Sequence, residues 1–313
     1  MHDRIHDDEP DTSESVVRAL LAAECPAWSD RPLTYLRTSG TSNAMWRVRL
    51  NGQADLVVRL PRRPEAAAEM AREAMLLRWV AQSSVAAEVT TPTVRHLGAP
   101  NELAPHAWLV LEWIDGVDAW EQRHRLAAHG LGPLAVDLGR LVTAIGALPV
   151  EELLPHRAPG SRGGPLAPVL DRLRRWLDDP AWNAAELLDV DAVRRLADRA
   201  AEVADDPTPT AVVHGDLIPG NLLVADGRLT AVIDWAGVGV GDPAQDLAPA
   251  WSVTDDADRP AFRDTVGVDD ATWLRGRAIE LEHAVGGVLY YAPRGHALGD
   301  LMARTLERVL ADD

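Results

Sequence analysis

The sequence predicts an α+β fold in two lobes, a small N-terminal lobe with an antiparallel sheet and a helix, and a larger, mainly helical C-terminal lobe. Three observations point there. At 313 residues the chain exceeds the size at which one hydrophobic core usually stops growing. Strand-like sequence around an Asn51-Gly52 turn signal fills the stretch from Leu33 to Leu60. From Val117 to Ala204 the patterning is helical, broken by a loop-like Gly/Pro/Arg-rich stretch from Pro155 to Pro165. The lobes are placed at residues 1–112 and 113–313.

Thr12 to Cys25 reads as a helix, with Thr12 or Ser13 as N-cap and Val16, Val17, Leu20 and Leu21 on one face. AMWRVRL (Ala44 to Leu50) and ADLVVRL (Ala54 to Leu60) flank Asn51-Gly52, whose tolerance of positive φ predicts a hairpin. A helix follows over Glu65 to Gln82, where Ala66, Met70, Ala74, Leu77 and Val80 mark a buried stripe. Ala107 to Ile114 is again strand-like, and a second β unit follows Thr210. Gly239-Val240-Gly241 is expected as a turn.

Composition excludes several classes. With 47% hydrophobic and 25% charged residues the chain can bury a core. No apolar run approaches the roughly 18 to 20 residues that cross a bilayer, and the opening MHDRIHDDEPDTSES is too acidic for a signal peptide. A cytoplasmic protein with no membrane partner is expected. The lone Cys25 forms no internal disulfide and is expected to pack in a helix. Net charge is −17, with all 31 basic residues arginine, so nucleic acid is not an expected partner.

The chemistry sits in AVVHGDLIPGNLLVADGRLTAVIDWAGVGVGDPAQDLA, Ala211 to Ala248. Val212 and Val213 read as a buried strand, and NLLV and LTAVI as strands joined across Asp226-Gly227. Closing that hairpin brings Asn221 and Asp234 to one open end, beside the loop that carries Asp216. Two carboxylates and an amide oxygen suit Mg²⁺ carried on phosphates better than Zn²⁺. A spare aspartate beside the ion accepts a hydroxyl proton, which is the template of phosphoryl transfer.

These motifs, H-G-D-x-x-x-x-N at His214 to Asn221, I-D-W around Asp234 and G-D-P-x-x-D-L-A at Gly241 to Ala248, resemble the aminoglycoside phosphotransferase family, small-molecule relatives of the protein kinases. The resemblance covers nearly the whole chain. It implies a protein-kinase-like two-lobed fold, Asp216 as catalytic base, Asn221 and Asp234 as ligands of Mg²⁺, and Asp246 as a brace for the catalytic loop. His214 is a candidate either as acid or base or as a group orienting the loop. ATP or GTP is the implied phosphoryl donor.

The resemblance also implies nucleotide contacts. Arg59 occupies the strand position where kinase-like sequences carry a phosphate-touching lysine, and Glu73 on the following helix is its expected ion-pair partner, with Glu69 as the alternative. The loop Ser39 to Asn43 is expected to cover phosphates through backbone N–H groups and through Ser42 and Asn43. Glu112 and Ile114, at the hinge position, are expected to pair with the nucleotide base.

The implied acceptor is a small molecule: an antibiotic such as an aminoglycoside or macrolide, or a metabolite of the choline, homoserine or sugar kind. A catalytically silent nucleotide-binding protein is the rival from another class. No A-P-E segment follows Asp234, which argues against a protein kinase. Asp255, Asp256, Asp258, Glu280 and Glu282 with Trp251, Trp273, Tyr290 and Tyr291 are expected to line a site for a cationic acceptor. A monomer and a dimer are equally open.

Overall fold

Alternating burial along NAMWRV shows why this segment is a strand: Ala44, Trp46 and Val48 face the core and the residues between them do not. The computed structural model describes residues 10–36, 43–156, 162–206 and 209–312. They fall into two units, one of Met1–Ala86 and Thr90–Asp115, the other of Ala87–Val89 and Gly116–Asp313. The division lies after Asp115, past the expected break at 112.

The first unit holds a five-stranded antiparallel sheet. Its strands β1 (Leu33–Leu36), β2 (Asn43–Val48), β3 (Leu56–Pro61), β4 (Val94–Gly98) and β5 (Trp108–Glu112) lie in the order β1-β2-β3-β5-β4. The β2–β3 register pairs Met45 with Arg59. Asp55 ties the connection: it accepts the Leu50 N–H at 2.8 Å and pairs with Arg47 at 2.7 Å. The Glu14–Glu24 helix buries Val17, Leu20 and Leu21 in one cluster with Trp46, Val58 and Trp108. Trp46 also donates its indole N–H to Thr12 O at 2.9 Å. Cys25 packs partly buried against that cluster. In the Pro64–Val80 helix, Met70, Ala74, Leu77 and Val80 are buried as the stripe requires, whereas the Ala66 side chain lies outside the described ones.

The second unit carries two small sheets among helices. Strands β6 (Val117–Asp118), β8 (Leu222–Ala225) and β9 (Arg228–Val232) form one sheet, and β7 (Ala211–Val213) pairs with β10 (Gly239–Gly241) in the other. The β8–β9 turn places Asp226 at φ 50° and Gly227 at φ 74°, both positive as a tight two-residue hairpin demands. Gly239-Val240-Gly241 is thus a strand and not the expected turn. Gly241 has a packing reason: a Cβ there would sit 1.9 Å from Gly163 O, so only glycine admits that neighbouring backbone. The Asp270–Tyr291 helix is buried on most sides, including Trp273, Leu281, Ala284 and Val285. It packs against the Leu166–Asp178 and Ala297–Ala311 helices. Among the described residues no single helix is long and apolar enough to cross a membrane.

Candidate active site

The loop after β7 is held from below. Asp246, 2% exposed, accepts the His214 N–H at 2.6 Å and the Gly215 N–H at 2.7 Å. Two buried donors are satisfied by one carboxylate, the bracing that the resemblance implies for Asp246. Burial still pushes its pKa up to about 7, against the pull of those two bonds. His214 is fully buried, and its Nδ1 accepts the Asp216 N–H at 3.3 Å. Its ring stands edge-on to Trp235 at 4.7 Å. Burial pushes its pKa down to about 3, with the Ile233 backbone opposing. The imidazole is therefore neutral at physiological pH, with Nδ1 fixed as the acceptor.

Asp216 is oriented from above by Asn221. The Asn221 carboxamide N–H₂ donates to Asp216 O at 2.9 Å and to its Oδ2 at 3.0 Å. Asn221 is itself tied to the hairpin, its backbone O accepting the Ile233 N–H at 3.0 Å. The sequence between them thus closes a short ring around the carboxylate. Burial raises the Asp216 pKa; Arg162 opposes this, and the Asp234 charge adds to it. Asp234 follows β9 in the left-handed region at φ 63° and ψ 65°, a conformation that costs a non-glycine residue energy and is typical of functional sites. It is exposed.

The donor set fits Mg²⁺ on phosphates. The Asn221 N–H₂ bonds to Asp216, which leaves the amide Oδ1 for a cation, and Asp234 offers a second hard oxygen. Among the described residues no three His, Cys, Asp or Glu side chains gather to hold an ion by themselves. Such a pair of oxygens suits an ion that brings phosphate and water ligands with it.

Two neighbours of Asp216 were not legible in the sequence. Arg162 approaches its Oδ1 at 3.9 Å, from a stretch whose only sequence mark is Gly/Pro/Arg content. His283 pairs with Glu280 at 3.5 Å, and its charge acts on Asp216. No spacing rule singles out one histidine inside a buried helix.

In the first unit, Arg59 on β3 forms an ion pair with Glu73, and their side chains are 12% and 2% exposed. Glu69, the alternative partner, is exposed. Asn43 opens β2 opposite Pro61, its Oδ1 buried without a hydrogen bond among the described residues. Ser42 and the loop before it lie outside the described residues. Glu112 ends β5; its N–H already donates to Thr93 O at 2.9 Å and its carboxylate pairs with Arg95. Its N–H is therefore not free for the base contact expected of Glu112. Ile114 follows the strand, with no backbone hydrogen bond among the described residues.

The acidic and aromatic residues expected around the acceptor each have partners within the protein. Asp255 and Asp258 accept backbone N–H groups, and Asp256 pairs with Arg259. Trp251 and Trp273 are buried and donate to Asp312. Glu282 pairs with Arg172 and Glu280 with His283. Tyr290 and Tyr291 pack on each other, Tyr290 being exposed. Charges and rings that the sequence allows to face a ligand are used here in capping and packing.

Known proteins share this fold. Residues 36–279 match the model of the phosphotransferase enzyme family. The aminoglycoside 3'-phosphotransferase of Escherichia coli is 29% identical over 187 residues, 58% of this chain and 62% of its own length. The match thus spans less than two thirds of that relative. The structure of aminoglycoside 2'-phosphotransferase-IIIa with GDP aligns with a TM-score of 0.71 at 18% identity, covering 96% of this chain and 99% of that one. The apoenzyme of the macrolide 2'-phosphotransferase of Brachybacterium faecium aligns with a TM-score of 0.62 at 23% identity, covering 94% and 98%. The fold is thus that of protein-kinase-like small-molecule kinases, and on the strength of a family match spanning most of its length the chain belongs to the phosphotransferase enzyme family.

Proposed function

We propose that the chain transfers the γ-phosphoryl group of ATP or GTP to a hydroxyl of a small molecule, with an antibiotic such as an aminoglycoside as the leading acceptor. The observation that carries this reading is the Asp216 carboxylate, held at its backbone by His214 and at Oδ2 by Asn221. A side chain fixed at one oxygen presents the other, near Arg162, to a substrate hydroxyl. Burial raises its proton affinity toward what a base needs.

In this reading Asp216 aligns the acceptor hydroxyl and takes its proton. His214 is a positioning residue: it is buried and neutral, and it holds the Asp216 N–H. Asp246 keeps the loop in place through two N–H bonds. Asn221 and Asp234 hold Mg²⁺, which when bound offsets phosphate charge. Arg59, fixed by Glu73, faces the nucleotide phosphates with a planar donor fork. The Glu112 carbonyl and the Ile114 N–H form an acceptor–donor pair for the nucleotide base. The names of the relatives, which include aminoglycoside and macrolide phosphotransferases, support an antibiotic acceptor.

The test is turnover against a panel of aminoglycosides, macrolides and hydroxylated metabolites with ATP and GTP, scored by nucleotide consumption and product mass. A phosphate-mass adduct on one acceptor class is expected. Tight nucleotide binding with no adduct on any compound would favour a silent nucleotide-binding protein instead.

A further inference from the structure

The segment after β6 turns back against the catalytic loop, with the Ala119 N–H donating to Pro219 O at 3.1 Å and to Leu222 O at 2.9 Å. Between this segment, Pro219 and the Ala297–Ala311 helix lies a cleft with about 540 Å³ of empty space, part of it open to solvent. Arg123, His124, Arg304 and Arg308 line it, and none of the lining residues is Asp or Glu. In a chain of net charge −17 this local excess of cations runs against composition.

The cations have donors to spare. Arg304 is exposed and makes no hydrogen bond or ion pair among the described residues. Among the described residues Arg308 bonds only to the carbonyls of Trp251, Ser252 and Val253, at 3.3, 3.5 and 3.4 Å. Burial lowers its pKa, Asp255 opposing and Arg304 adding to the fall. The acids nearby are engaged: Asp256 pairs with Arg259, and Asp255 accepts the N–H groups of Ala257 and Asp258. Arg123 is stacked over Trp120, 4.0 Å from the ring centroid. The remaining wall is apolar, with Leu126, Leu131 and Leu301 buried in it.

We propose that this cleft binds a small organic anion, whose carboxylate or phosphate is taken by Arg304, Arg308 and Arg123 and whose apolar body lies on Trp120 and Leu301. Guanidinium forks match the planar or tetrahedral oxygens of such groups and lose little hydration in doing so. The apolar wall selects an organic anion over a free inorganic one, because burying its body adds affinity in proportion to area. The site goes beyond phosphoryl transfer and stands whether or not that reading holds.

Calorimetry on the full chain without nucleotide tests it, with benzoate, phenyl phosphate and benzyl alcohol as probes. These share one body and differ in the charged group. At least one of the two anions is expected to bind on the order of tenfold more tightly than the alcohol, the better of them naming the group preferred. Arg304→Glu, at an exposed position without partners, is expected to weaken that binding about tenfold or more, while Arg59→Ala and Asp234→Ala leave it unchanged. Equal binding of anions and alcohol would overturn the proposal. So would phenyl phosphate binding that survives Arg304→Glu but is lost in Arg59→Ala, which would place the anion on the arginine of the first unit.

Discussion

Asp216 and Arg59 act through single functional groups, and their substitutions separate chemistry from binding. In Asp216→Asn the backbone bonds to His214 and Asn221 remain, so fold and nucleotide affinity are expected to persist. Only proton acceptance is removed, and kcat is expected to fall on the order of 10²-fold or more. A near-wild-type rate would remove Asp216 as base. Its raised pKa also has a kinetic sign: the base is lost on acidification at a pH above the usual 3.8 of a carboxylate. The acid limb of the kcat/KM profile is expected there. Arg59→Ala is expected to weaken nucleotide affinity by about tenfold or more, with Arg59→Lys recovering part, since an ammonium keeps the charge and loses the fork. Titration with a fluorescent nucleotide would show it, and equal affinity in all three proteins would mean that Arg59 does not face phosphate.

The catalytic loop behaves as an element because two buried titrating groups meet at it, His214 within the loop and Asp246 bonded to its backbone from 32 residues on. Asp246, raised from 3.8 to about 7, keeps a proton that the unfolded chain has released, so it lowers stability as pH rises through that window. His214, lowered from 6.5 to about 3, is neutral while the unfolded chain is protonated, so it raises stability with pH across that window. Where the windows overlap the two slopes oppose each other. Asp246→Asn removes one of them, and urea denaturation of the variant is expected to show stability climbing more steeply between pH 4 and 6.5 than in the wild type. Parallel profiles would count against a raised Asp246. At neutral pH the variant also loses one of two acceptors for buried N–H groups, a cost of about 1–3 kcal/mol. The loop and its hairpin were legible because turn chemistry is local: Asp226-Gly227 and the H-G-D-x-x-x-x-N spacing need no knowledge of distant residues. β4 and β10 were not singled out as strands. Gly239-Val240-Gly241 has no strand propensity of its own, and it is a strand because Val213 and Gly163 lie against it.

At the scale of the whole molecule, composition set the field correctly but not its distribution. The excess of acids was plain from 48 acidic against 31 basic residues, yet which carboxylates stay free depends on partners brought in from far along the chain. Asp258 is 127 residues from the Leu131 N–H it accepts, and Glu282 is 110 from Arg172. No local pattern reports such pairings, and so the acids expected around the acceptor are found engaged in caps and ion pairs, while the arginines around Trp120 converge unannounced. What survives is the long-range field of net charge −17, which attracts a polycationic acceptor from solution whatever the lining of its site. Raising ionic strength from about 0.05 to about 0.5 M shortens the Debye length from roughly 14 to roughly 4 Å. For an aminoglycoside kcat/KM is therefore expected to fall by about tenfold over that range, through slower association, with kcat little changed. A neutral macrolide is expected to show a flat response in the same assay. Salt-independent kcat/KM for an aminoglycoside that is turned over would mean that the global field plays no part in capture and that recognition rests on contacts inside the site alone.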